Sequence, residues 1–187
     1  MVRVSVQNIS YPKALVTLLM AGYGSLCALH PSEYHLIDGV NLVAHEAGHL
    51  LFSWFGEFIM VIGGTIGQLL VPCAFTVYFF LRREFFSATV TLLWVGQNFC
   101  NISVYAGDAQ AMNLPLVSVG GDDAIHDWNY ILAKAGLLRW DRLIANTIRA
   151  AGVIIMSAAV IGGIYFSFRN DGSRTSSSDG NDPARKQ

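Results

Sequence analysis

Between residues 40 and 81 the chain carries only two formally charged side chains, Glu46 and Glu57. A soluble element of that length needs a solvated polar face, and this stretch has none. Its backbone amides must therefore be satisfied within helices that sit in lipid or against one another. The composition agrees, with 53% of residues hydrophobic and 13% charged, against about 25% charged in an ordinary soluble domain. A net charge of −1 offers no basic surface for nucleic acid.

A helix needs roughly 20 mainly apolar residues to cross the hydrocarbon core, and five segments are candidates: 11–29, 39–55, 58–81, 85–107 and 150–168. The expected fold is an all-α polytopic membrane protein with about five transmembrane helices. Residues 1–168 read as a single domain with a core at 40–108, an interfacial segment at 109–149 and a last span at 150–168. Trp128, Tyr130, Ile131, Leu132, Leu137, Leu138 and Trp140 stand among charges in the interfacial segment, which suits amphipathic helix at the membrane surface. Residues 169–187 are too polar to offset the entropy of ordering, so a disordered tail is expected.

Arg3 and Lys13 precede the first apolar run as in a signal peptide, but no good cleavage site follows, which favours an uncleaved first span. Cys27, Cys73 and Cys100 lie in apolar segments without metal-ribbon or disulfide spacing and read as small core residues. No internal repeat supports a transporter built from related halves. If all five segments cross, the basic residues divide evenly between the two sides, and only discounting the remote tail charges tips the balance slightly toward a cytoplasmic N-terminus.

Inside the apolar stretch, residues 45–49 read His-Glu-Ala-Gly-His. On a helix His45 and His49 stack on one face, close enough to share a metal ion, and Glu46 can reach a water bound there. Two imidazoles within a membrane segment are costly and mark a functional site. Catalytic zinc takes three protein ligands and leaves one position open, and Glu46 is the candidate general base. The fourth segment runs through Asn101 into Asp108, and Asp108 is the expected third ligand.

These residues resemble the site-2 protease family of intramembrane zinc metalloproteases. The His-Glu-Ala-Gly-His motif in a hydrophobic segment is one point of likeness. Gly63-Gly64-Thr65-Ile66-Gly67-Gln68 looks like the family's Gly-Pro-x-x-Asn element, with Thr65 for the proline and Gln68 near the asparagine position. Asn101 and Asp108 match the order and approximate separation of the family's asparagine and zinc-binding aspartate, although the chain reads Gly-Asp-Ala there. The resemblance covers about residues 40–108. It implies a multi-pass integral membrane protease, of a bacterial inner membrane or its equivalent, that holds Zn2+ through His45, His49 and Asp108. The implied substrate is a membrane protein or membrane-tethered peptide cleaved in or beside the lipid bilayer.

One geometric difficulty accompanies Asp108. In a simple hairpin count the second and fourth segments run parallel, yet His45 lies about seven residues into its segment and Asp108 more than twenty into its own. The offset is on the order of 20 Å. It requires a fourth helix that begins outside the membrane or breaks near Gly96 and Gly107, a re-entrant third segment, or a different ligand.

The stretch 120–128 supplies that rival, with Asp122, Asp123, His126 and Asp127 just ahead of the amphipathic segment. As plain structure it is a solvated loop with Asp127 capping the next helix. As chemistry, His126 is an alternative ligand or transition-state stabiliser, and Asp122 or Asp123 can orient a ligand histidine. Gln97, Asn98 and Asn101 share one helical face, where they either bind substrate backbone, Asn101 as a second possible stabiliser, or join helices. His30 and His35 read as exposed interfacial residues.

The leading expectation is thus an intramembrane zinc metalloendopeptidase that uses zinc-activated water. A catalytically inactive membrane scaffold of the same fold and a divalent-metal transporter are the alternatives. Oligomeric state is left open.

Overall fold

The computed structural model describes residues 9–114 and 126–169, and every regular element among them is helical. The expected tail and the Asp122 and Asp123 positions lie outside the described residues. The helices are α1 (Tyr11–Leu29), α2 (Asp38–Phe52), α3 (Glu57–Leu81), α4 (Phe85–Gly107), α5 (Asp127–Lys134) and α6 (Asp141–Phe168). One-turn 3-10 segments at Ser53–Phe55 and Leu138–Trp140 lead into α3 and α6.

Three stretches are long and apolar enough to cross a membrane: α1, α3 and Leu138–Phe168. This fits a membrane protein, and the other two expected spans differ for separate reasons. At 15 residues, α2 is only about 22 Å long, short of the ~30 Å hydrocarbon core. α4 runs beside the spanning helices and is long enough to cross, but its apolar character is lowered by Gln97, Asn98 and Asn101, which turn inward to Asp38 and Asn41 of α2 and Gln68 of α3. The last helix begins at Asp141, not near residue 150. Its added turns are anchored by Asp141, which accepts hydrogen bonds from Gln110 Nε2 (2.9 Å) and the Arg142 amide (2.6 Å), and by Arg149, which donates to the Ala28 carbonyl (2.5 Å).

The core is a seam where α1, α4 and α6 meet. Met20, Cys27, Leu93, Cys100, Met156 and Ala159 pack there, so Cys27 and Cys100 are core residues while Cys73 is half-buried, and all three are free. The Ser10 amide donates to the Ser167 carbonyl (2.9 Å), and Phe85 stacks on Phe166. The start of α1, the α3–α4 turn and the end of α6 therefore share one end of the bundle. Five full crossings would have put the start of α1 and the end of α6 at opposite ends.

The parity changes because α2 does not rise from an end. The Ile37 amide donates to the Tyr23 hydroxyl (3.3 Å), and Asp38 opens α2 beside Gln97 and Asn101 of α4 (2.7 and 3.1 Å). This start removes the expected offset: seven residues on, His45 arrives next to Tyr105 in the last turns of α4, with ring centroids 6.1 Å apart. α4 runs unbroken past Gly96 and α3 is continuous, so neither a helix break nor a re-entrant segment is needed.

α2 turns back into α3 through Gly56, whose φ of 90° suits glycine alone. The two helices then touch backbone to backbone. A Cβ on Gly67 would lie 2.7 Å from the Ala44 carbonyl oxygen and from Gly48 Cα, so larger residues would part the pair. That approach brings α3 side chains against the histidine face of α2.

Candidate metal centre

His45 and His49 project from successive turns of α2 with ring centroids 4.7 Å apart and planes at 85°. Their Nε2 atoms converge on one oxygen, Asp127 Oδ2, at 2.8 and 3.1 Å. These three side chains are the group among the described residues whose ligand atoms, all within 4.8 Å of one another, suit a metal ion. The carboxylate comes from the first turn of α5, which packs on α3 and α4. The Asp127 amide donates to the Tyr105 hydroxyl (3.1 Å), which fixes where α5 begins.

The outer nitrogens are also engaged. His49 Nδ1–H donates to the Met60 carbonyl (2.9 Å), and His45 Nδ1–H donates to Gln68 Oε1 (3.3 Å). A histidine that donates from Nδ1 presents a bare lone pair at Nε2 when neutral. Two such lone pairs and a carboxylate oxygen face one another with no donor among them. A proton can bridge one pair, whereas a divalent cation satisfies all three at once.

Two imidazole nitrogens and a carboxylate oxygen are a donor set that suits a divalent ion such as zinc. Tetrahedral bonds of 2.0–2.1 Å put neighbouring ligand atoms about 3.3 Å apart, so the 2.8 and 3.1 Å separations need to open by a few tenths of an ångström. Gly64 lets the α3 backbone approach without filling the space between the two nitrogens. A Cβ there would lie 2.5 Å from His49 Nε2 and 2.7 Å from His45 Nε2. Burial alone would raise the Asp127 carboxyl, but hydrogen bonds from His45 and His49 in their protonated form, the positive charge that a metal ion would replace, outweigh burial and hold it below the ordinary carboxylate range.

Asp108, the expected third ligand, is not in this group. It terminates α4, and its carboxylate accepts the amides of Asn113 (3.0 Å) and Leu114 (2.9 Å) while His126 Nε2 lies at 3.3 Å. It closes a turn and is committed there. His126 is likewise committed: it N-caps α5, with Nδ1 accepting the Asn129 amide (3.2 Å) and Nε2 directed at Asp108. The cap expected of Asp127 is thus made by His126, which frees Asp127 to face the histidines. Asn101 has both ends of its amide occupied, donating to Asp38 and accepting from Gln68 (2.7 Å), so it is not free to meet a substrate.

Glu46 is half-buried beside His45 and makes no hydrogen bond or ion pair among the described residues. A cavity of about 410 Å3 is lined by Met112, His126, Asn129, Tyr130, Ala133 and Lys134, and none of these is a member of the His45, His49 and Asp127 group.

The residue missed by the sequence reading is Asp127. Its signal was present as a carboxylate next to His126 ahead of an amphipathic helix, but the same pattern describes an ordinary helix cap. Compared with known family models, curated proteins and solved structures, the chain gives no match.

Proposed function

We propose that the protein is a membrane-embedded zinc metalloendopeptidase with His45, His49 and Asp127 as ligands and Glu46 as general base. The observation that carries this reading is the convergence of both motif Nε2 atoms on one buried carboxylate oxygen, each imidazole being oriented from behind. When bound, zinc would polarise the scissile carbonyl and lower the pKa of a water toward neutrality.

The chain's own residues do the rest. Glu46 removes a proton from the attacking water and delivers it to the amide nitrogen as the peptide bond breaks. A membrane protein or membrane-tethered peptide is the substrate class, because the histidine pair sits on an apolar helix packed against a spanning one. The resemblance to site-2 proteases supports the same class.

Glu46→Gln tests the reading. The variant should retain about one zinc per chain and lose cleavage of a model single-span substrate; retained cleavage would rule the mechanism out. Glu46-dependent metal flux in liposomes would point instead to transport.

A further inference from the structure

The Nδ1 partners of the two histidines differ in kind. His49 donates to a main-chain carbonyl, which can only accept, whereas His45 meets the side-chain amide of Gln68, which could present either end. Something must fix that amide, or His45 could adopt the tautomer that blocks the centre.

The structure contains such a fixture. Asp38, 5% exposed, receives only donors: the His35 amide (2.7 Å), Gln97 Nε2 (2.7 Å), Asn101 Nδ2 (3.1 Å) and Asn41 Nδ2 (3.4 Å). With its NH2 group committed to Asp38, Asn101 turns Oδ1 to Gln68 and accepts Nε2 (2.7 Å). Gln68 must then present Oε1 to His45. The polarity is confirmed from the other side by the indole of Trp94, which can only donate. It binds Asn41 Oδ1 (2.8 Å), so Asn41 Nδ2 meets Gln97 Oε1 (2.8 Å) and Gln97 Nε2 is left for Asp38.

We infer that Asp38, Asn101 and Gln68 form a directional hydrogen-bond relay that holds His45 in the tautomer with Nε2 bare toward the centre; its purpose rests on the metal-binding reading above. Amides alone can join α2 to α4. A buried carboxylate costs more and adds one thing that amides cannot: a fixed direction for the whole chain of bonds. Asp38 and Asn101 act through Gln68 and are positioning residues.

The experiment compares Asp38→Asn, which leaves one amide oxygen for the donors of both carboxylate oxygens, with Asn101→Leu, which cuts the relay between Asp38 and Gln68 and leaves both ends in place. Zinc titration of the metal-free protein should show a loss of about tenfold to a hundredfold for either variant. Imidazole nitrogen NMR in an Asp127→Ala background, where no carboxylate competes at Nε2, should show one His45 tautomer, and a mixture after either substitution.

A single unchanged tautomer in either folded variant would overturn the relay. Asn101→Leu leaves Asp38 and Gln68 untouched and decides the matter by the same readouts if Asp38→Asn does not fold. Expected tautomers in a chain that takes up no stoichiometric zinc would leave the relay standing and remove the metal reading instead.

Discussion

Asp127 and Asp108 are both acidic residues near the end of α4, and their surroundings assign them different work. Asp127 faces two imidazoles, whereas Asp108 faces main-chain amides. Asp127→Ala should therefore abolish stoichiometric zinc binding, measured by metal analysis of purified protein, while Asp108→Ala and His126→Ala should retain it. Metal loss confined to His126→Ala would contradict the assignment. Gly64 gives a second check at this scale. A methyl at 64 would press on both ligand nitrogens, so Gly64→Ala should weaken zinc binding at least tenfold with little change in helix content. Zinc affinity as wild type would show that a side chain at 64 does not reach the ligand nitrogens.

At the scale of elements, the centre depends on how closely α2 approaches α3. Gly67→Ile places a branched side chain against the Ala44 carbonyl and Gly48, which must push the helices apart. The expected cost is about 1–3 kcal/mol, as for overpacking of a core, read as a lowered unfolding midpoint together with loss of zinc. The turn after α4 has its own signature. Burial alone would raise the Asp108 carboxyl, but the Leu114 and Asn113 amides, with His126, hold it below its ordinary value. A depressed folded-state pKa gives stability that is full above the unfolded value of about 3.9 and is lost as pH falls through the lowered folded value. Asp108→Asn should thus lower the midpoint at neutral pH, and the wild-type and variant curves should converge in acid. A constant gap down to the lowest pH would show that the carboxylate charge does not matter.

For the whole molecule, the bond between Ser10 and Ser167 puts the start of α1 and the end of α6 together, and α5 with the centre lies toward the other end. Single cysteines at Ser10 and Arg169, in a chain lacking Cys27, Cys73 and Cys100, should react with an impermeant thiol reagent from the same side of the membrane. A cysteine at Ala135 should react from the opposite side. Labelling of positions 10 and 169 from opposite sides would restore an odd number of crossings.

The sequence by itself determined the helices and half of the site. Continuous apolar runs admit only helices in lipid, and helical periodicity places His45 above His49 wherever α2 goes. Local spacing could not find the third ligand, because Asp127 is 82 positions from His45 and reads locally as a helix cap. The height at which α2 begins was equally hidden. It is set by the bonds of Asp38 to Gln97 and Asn101 across helices, whereas an apolar pattern records only that a residue is buried. The tertiary structure decided which carboxylate meets the histidines, since that depends on where α5 docks and on His126 taking the cap. Hydropathy and period act along the chain, while ligand geometry is settled between elements whose relative heights no local pattern encodes.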